Sequence, residues 1–277
     1  MQQLDKTNFN LKAMAVDLGH FVALEVGLSS AQSWHRPDLH PRVWFEQDGV
    51  VVRDVTPDLD PFVLDYMVKN YLTEEPMNQA LRVSEDPLAA AEQTAIWEKL
   101  ILSQRVSIVA LQKGTPGADL EKVSEDCPPK IIGANLLFVT SKSDHELPDF
   151  RKVLKSEKVI TCLHTFFETS SLVDVYERYA ADHYLDGAGM SVASEWRGKG
   201  IGKMLLEARL NLCRSLDIPL TKTVFTSVQS QKVALKSGFE LLGELVYSDL
   251  TDAEGQPRFP KMHPDQKRIQ MMALKIT

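Results

Sequence analysis

Met190-Ser-Val-Ala-Ser-Glu-Trp-Arg-Gly-Lys-Gly-Ile-Gly-Lys203 is the stretch on which the reading of this chain turns. A short strand, GMSV, ends at Val192. A loop carrying Arg197, Gly198, Gly200 and Gly202 follows and enters a helix expected over Lys199–Leu216. On that helix Ile201, Met204, Leu205, Ala208, Leu212 and Leu216 recur at the spacing of one buried face. Glycines let the backbone bend tightly and turn several N–H groups into one concavity. The helix start adds partial positive charge, so the place suits a phosphate. Two familiar phosphate loops do not fit. A Walker A loop needs glycine where Arg197 stands and Ser or Thr where Met204 stands; a dinucleotide fingerprint needs glycine where Lys203 stands. A tight strand-to-helix turn with no ligand is the plain alternative.

Upstream, Asp48-Gly49 between VWFEQ and VVVRDV signals a hairpin, because both residues tolerate positive φ. Helices are expected over Pro61–Leu72, interrupted at Pro76, and from Pro87 to about Ser103. Strands over Val106–Leu111 and Ile131–Thr140 flank GTPGADLEKVSEDCPP, a Gly-, Pro- and acid-rich loop expected to be mobile. Helical material from Phe150 to about Tyr184, a strand at Lys222–Thr226 and a helix at Ser230–Ser237 follow. Strands Glu240–Tyr247 and Arg268–Ile276 complete the pattern. Residues 1–40 have little periodicity and are expected as an extension packed on or near one domain covering 41–277. The mixed order of helices and strands reads as α/β.

The chain has 277 residues, with 31 Lys+Arg against 38 Asp+Glu and a formal net charge of −7. That balance gives no basic face for nucleic acid. Cys127, Cys162 and Cys213 are odd in number and have no paired spacing, as expected in a reducing compartment. The first thirty residues have neither the apolar core of a signal peptide nor the bias of a transit peptide. No stretch approaches the roughly 18 apolar residues of a membrane span. A cytoplasmic protein is expected, without membrane association. His164, His183 and His263 show no metal-ligand spacing, so no metal is expected.

The spacing Arg197-x-x-Gly200-x-Gly202 after Ser191-Val192 resembles the acyl-CoA loop of the Gcn5-related N-acetyltransferase (GNAT) superfamily. Gly238-Phe239 also falls where that superfamily has the same pair, between a short helix and a strand. Four further segments resemble insect arylalkylamine N-acetyltransferases: Tyr71–Asn78 (YLTEEPMN), Leu206–Cys213, Phe225–Phe239, and the tail from Tyr247 through Glu254-Gly255 and Phe259. The similarity covers roughly residues 50 to 277. It implies the GNAT acetyltransferase fold, a central mixed, mostly antiparallel sheet with a V-shaped split, flanked by helices. It also implies acetyl-CoA as co-substrate.

Residue by residue, the resemblance implies that the pyrophosphate sits on the backbone of Arg197, Gly198, Lys199, Gly200, Ile201, Gly202 and Lys203. The main chains of Met190 and Val192 would hold the pantetheine arm, and the Val192 N–H would polarise the thioester carbonyl. Glu75 matches the general base and Glu74 an acidic position beside it. The two carboxylates are expected to hold an ammonium and raise one another's pKa. Tyr71, in the same segment, is a candidate substrate contact. Many superfamily members place a tyrosine acid where this chain has Ala234, leaving the hydroxyls of Thr226 and Ser230 as candidates for proton work. Plainer readings stand beside these: Glu74 and Glu75 as a solvated helix end, Ser230 as a helix cap, Lys199 and Lys203 as solvated charges, and Phe166 and Phe167 as core.

The activity so implied is acetyl transfer from acetyl-CoA to the primary amine of a small arylalkylamine, such as tyramine, dopamine or serotonin, by direct attack. An aliphatic acceptor such as agmatine or a polyamine is the close alternative. A non-catalytic CoA-binding module stays open because of Ala234, and protein acetylation is a third reading. The partner expected is a small amine, with no nucleic acid, and the chain is expected to be a monomer.

Overall fold

Asp48 and Gly49 take φ of 52° and 74° and fold β1 (Val43–Gln47) back on β2 (Val50–Asp54), as their sequence requires. The structure, a computed structural model, describes residues 34, 36–144 and 150–277. β3 (Ile108–Gln112), β4 (Ile131–Ser141), β5 (His183–Val192), β6 (Leu220–Phe225), β7 (Glu240–Val246) and β8 (Arg268–Lys275) join the hairpin. Together they form one sheet in the order β1-β2-β3-β4-β5-β6-β8-β7. All neighbours are antiparallel except β5 and β6.

Strand alternation sends Val50, Val52, Ile108 and Ala110 to one face and Val51, Val109 and Leu111 to the other. The helices are α1 (Asp60–Glu74), α2 (Pro76–Leu81), α3 (Pro87–Ile96), α4 (Phe150–Val153), α5 (Glu157–Ser170), α6 (Val175–Tyr179), α7 (Ile201–Ser215) and α8 (Val228–Lys236). The apolar stripe Ile201, Leu205, Ala208 and Leu212 lays α7 on the first face. Val63 and Met67 of α1, with Val159 and Ile160 of α5, cover the second. The helix expected to reach Ser103 continues α3 through a π-turn at Trp97–Ile101 and a 3₁₀ turn at Leu102–Gln104.

Three expectations are corrected. The helical reading of 150–184 breaks into α4, α5 and α6, because Ser156 caps α5 and Asp174 caps α6 through their side chains. β5 then begins at His183, so the strand is longer than GMSV. The loop between β3 and β4 is tied down: Arg53 donates to Gly117 O, the Val123 N–H donates to Asp58, and Ala118 is buried. Most of the 1–40 extension lies outside the described residues. Of its described part, Arg36 pairs bidentately with buried Asp54 (2.9 Å each), which also accepts from Trp44 Nε1 at 2.7 Å.

β5 and β6 pair at Leu185↔Thr221, where Arg209 of α7 pins them. Its Nε donates to Thr221 Oγ1 (2.6 Å), and its Nη2 donates to Leu185 O (2.8 Å) and Lys222 O (3.0 Å). Burial pulls the pKa of the guanidinium down to about 10, against the upward pull of Cys213 and Asp186. Arg209→Ala removes three buried hydrogen bonds, leaving Thr221 Oγ1, Leu185 O and Lys222 O each short of one donor, with an expected loss of about 3 kcal/mol of unfolding free energy. Urea denaturation checks this, and an unshifted midpoint would show that the strands close without the pin.

Candidate active site

Past Leu185↔Thr221 the two strands separate, and a cleft of about 1860 Å³ opens between them. The Ala193 N–H donates to Ile132 O of the neighbouring β4 edge (3.0 Å). Because main-chain groups alternate along a strand, Val192 and Met190 turn theirs to the other edge, toward the opening. Both residues line the cleft. The β4–β5 register steps between Leu136↔Gly189 and Leu137↔Gly187, so Ala188 bulges, and its carbonyl accepts from Trp97 Nε1 at 3.3 Å.

The glycine loop closes the outer end. Gly198 and Gly200 take φ of 76° and 81°, with open space where a side chain would be. Gly200 caps α7 without any side-chain bond, so the first N–H groups of the helix stay available at its positive end. Arg197, Gly198, Gly200, Ile201, Gly202 and Lys203 line the cleft. Lys199 is outside that lining; its ammonium stacks on the Trp196 ring 4.6 Å from the centroid. Arg197 Nε donates to Val192 O (3.1 Å), and its Nη2 pairs with Glu74.

Glu75 sits where α1 ends and α2 begins, because Pro76 forces the preceding residue out of helical conformation. It is 6% exposed; Oε2 accepts the Asn78 N–H at 2.8 Å, and Oε1 is buried without a hydrogen-bond partner. Burial raises its pKa, against the Asn78 N–H and the Thr226 hydroxyl, which favour the carboxylate. Glu74, beside it, is half-exposed and engaged by Arg197. Thr226 and Ser230 do reach the cleft. Ser230, however, does not begin α8. Ser227 is the cap, accepting from the Ser230 N–H at 3.1 Å, and Ser230 Oγ returns to the Ser227 backbone in a reciprocal capping box. Ala234 is fully buried among Leu206, Phe225, Phe239 and Met272 and faces core.

The inner wall is aromatic. Tyr71 meets Trp97 edge-on with centroids 5.6 Å apart, and Phe138, Phe166, Phe167, Tyr176 and Tyr184 line the same space. Phe166 and Phe167 are therefore wall residues. Two lining groups escaped the sequence reading. Cys162 Sγ donates to Asn78 Oδ1 (3.7 Å) beside Glu75. Asn135 is 1% exposed, and its Nδ2 has no hydrogen-bond partner. No segment from 113 to 130 lines the cleft, and the C-terminal loop contributes Gln266 and anchors to α5 through Arg258 and Glu168 (2.5 Å). Among the described residues no group of three or more His, Cys, Asp or Glu could hold a metal, and no helix is long and apolar enough to cross a membrane.

The splayed parallel pair, the glycine loop at a helix start and the bulged strand between them have the arrangement of the GNAT acetyltransferase fold. Residues 154–239 match the acetyltransferase (GNAT) family. Within that class the chain resembles insect arylalkylamine N-acetyltransferases. A yellow fever mosquito (Aedes aegypti) protein described as arylalkylamine N-acetyltransferase 7 superposes with a TM-score of 0.76 at 27% identity, over 88% of this chain and all of that one. Arylalkylamine N-acetyltransferase 2 of Aedes aegypti (TM-score 0.69, 21% identity, 83% of this chain and 100% of that one) shares the fold. So does the polyamine N-acetyltransferase of Drosophila melanogaster, which forms N-acetylagmatine (0.66, 23%, 82% and 99%). No curated protein matches the sequence significantly.

A buried acid whose pKa is raised holds its proton more tightly folded than unfolded, so it contributes stability that fades as pH rises through the folded value. Glu75→Gln removes that penalty while keeping an acceptor for the Asn78 N–H. The variant is expected to be more stable than the parent at pH 8, with the gap closing toward pH 4. Thermal melts across pH check this; a gap independent of pH would mean that Glu75 titrates normally.

Proposed function

We propose that the chain transfers acetyl from acetyl-CoA to the primary amine of a small arylalkylamine, with Glu75 as general base. The observation that carries this is one buried carboxylate, its Oε1 unpaired, lining the same cleft as the glycine loop. The residues present suit the co-substrate: free helix-start N–H groups for its phosphates, and the Met190 main chain and Val192 N–H on the open edge for its arm. When bound, acetyl-CoA supplies an activated acyl group with a thiolate leaving group.

Glu75 then has the proton work. An alkylamine arrives mostly as ammonium, and a carboxylate with a raised pKa is better matched to removing that proton near neutrality than an ordinary one. The Val192 N–H is a candidate donor to the thioester oxygen, and Thr226, whose hydroxyl favours the Glu75 carboxylate, belongs to the proton path. Ser230 lines the cleft beside it, its hydroxyl also engaged in the α8 cap. Tyr71 supplies acceptor contact through its ring.

An aryl acceptor is favoured over agmatine or a polyamine by the wall itself. Nine Phe, Tyr and Trp side chains line the cleft, while its other carboxylates are engaged: Glu74 by Arg197, Glu168 by Arg258, Asp186 by Lys222 and Asp144 by the Ser141 N–H. A second cation would therefore find no carboxylate waiting for it. The three cysteines, Cys127, Cys162 and Cys213, are free thiols, which suits a reducing, cytoplasmic setting.

Acetyl-CoA-dependent thiol release against tyramine, dopamine, serotonin, histamine, agmatine and spermidine tests the reading. Turnover is expected on the aryl amines, and preference for agmatine or spermidine would replace the acceptor class. Glu75→Gln is expected to lower kcat/KM by about 100-fold or more and to abolish the acidic limb of its pH profile. An unchanged rate and profile would remove Glu75 from the chemistry.

A further inference from the structure

Three residues of α5 meet the cleft in a single stripe. Cys162, Phe166 and Ser170 stand at positions i, i+4 and i+8, so they follow one another along one side of the helix, and all three line the cleft. Their order is chemical as well as spatial. Cys162 lies at the Glu75 end: its Sγ donates to Asn78 Oδ1, and the Asn78 N–H donates to Glu75 Oε2. Phe166 comes next, edge-on to Phe167 with centroids 5.4 Å apart. Ser170 comes last, about 12 Å beyond Cys162 at the rise of a helix.

The Ser170 hydroxyl is held from below. Lys222 Nζ of β6 donates to Ser170 Oγ and to Asp186 Oδ2 (3.1 Å), and it stands 5.1 Å from the centroid of the Tyr184 ring. The Lys222 and Asp186 side chains are both buried, and Thr223 Oγ1 donates to Asp186 Oδ1 at 2.7 Å, so this support is fixed. Because Ser170 Oγ accepts from an ammonium, its own proton points elsewhere, and among the described residues no group accepts it. Ser170 is only partly buried. A hydroxyl fixed in place with its donor unspent, at the end of an aromatic wall, suits one oxygen atom of a ligand.

The sequence of carboxylate, ring and hydroxyl along the stripe is that of amine, ring and hydroxyl in a phenolic amine. An extended two-carbon amine on a para-hydroxylated ring spans about 8 Å from nitrogen to oxygen at ordinary bond lengths. A hydrogen bond of about 2.8 Å at each end brings the whole to about 13 Å, the scale of the stripe. We propose that Ser170, positioned by Lys222, receives the ring hydroxyl of the acceptor, so that the chain prefers phenolic arylalkylamines to those with a bare ring. The proposal rests on the arylalkylamine reading above and adds the ring substituent which that reading leaves open. A bare ring would strip water from the Ser170 proton and give it no acceptor, a penalty that falls on the wrong substrate alone.

The experiment compares tyramine, its ortho-hydroxy isomer and phenethylamine as acceptors with acetyl-CoA, on the parent chain and on Ser170→Ala. In the parent, kcat/KM for tyramine is expected to exceed that for phenethylamine about tenfold or more. The ortho isomer, whose hydroxyl sits beside the amine arm and does not reach Ser170, is expected to follow phenethylamine. Ser170→Ala is expected to erase the preference for tyramine. Equal rates for tyramine and phenethylamine in the parent, an ortho isomer as good as tyramine, or a preference that survives Ser170→Ala overturns the proposal. If Ser170→Ala does not fold, the three amines on the parent decide by themselves. Calorimetry on the parent saturated with CoA, which carries no acyl group, separates this site from the proposed function. Tighter binding of tyramine than of phenethylamine, with no turnover on acetyl-CoA, would sink the reaction and leave the Ser170 site standing. Turnover that ignores the ring hydroxyl would sink the site and leave the reaction.

Discussion

One guanidinium determines where this sheet stops being a sheet. Arg209 reaches from α7 to carbonyls on both β5 and β6, and Thr221 Oγ1, which accepts from its Nε, itself donates to Leu185 O at 2.9 Å. A buried charge is tolerated only where hydrogen bonds replace water, and those bonds are available beside the Leu185↔Thr221 pairing. The strands therefore share a single ladder pairing, joined just past it only through the Thr223 and Lys222 side chains, and diverge from there. The main-chain edge of β5 that would otherwise be consumed by a ladder is left as a row of donors and acceptors beside a cavity. The position of the cleft, its depth and the polarity of its inner end all follow from that attachment.

The two sides of the cleft are built in different ways. The side that suits acyl-CoA comes from residues contiguous in sequence: β5, the glycine loop, the start of α7, then β6 and the start of α8. The acceptor side is gathered from the α1–α2 junction, the π-turn after α3, β4 and α5. Glu75 belongs to the second group, yet Thr226 of the first acts on its carboxylate. In the proposed reaction, chemistry falls where the contiguous side meets the gathered one, an arrangement in which a single fold can keep its donor while its acceptor walls change.

That asymmetry also explains what could be read beforehand. The glycine loop was legible because its function lies in local backbone geometry, where spacing and residue type are the whole signal. The Asp48-Gly49 hairpin was legible for the same reason. Glu75 was legible only by resemblance of its segment, since nothing in Glu-Glu-Pro says which carboxylate turns inward; Arg197, more than a hundred residues away, draws Glu74 outward. The start of β5 was hidden because a strand buried on both faces, with Gly187 and Gly189 in it, lacks polar alternation. Arg209 was invisible as a pin because its partners lie on strands that only the fold brings beside it. Asn135, read as one residue of a strand, shows its unpaired amide only once the cleft exists.

The Glu74–Arg197 pair spans the boundary between those two sides. Both side chains are near half-exposed, so the contact is worth about 1 kcal/mol or less and weakens as dissolved ions screen it. A tie of that strength cannot lock the glycine loop to the α1–α2 junction, but it biases them toward one another in dilute electrolyte. Ionic strength thus becomes a variable that acts on how the donor-binding and acceptor-binding sides are coupled, at a point where neither side is buried enough to be indifferent to it.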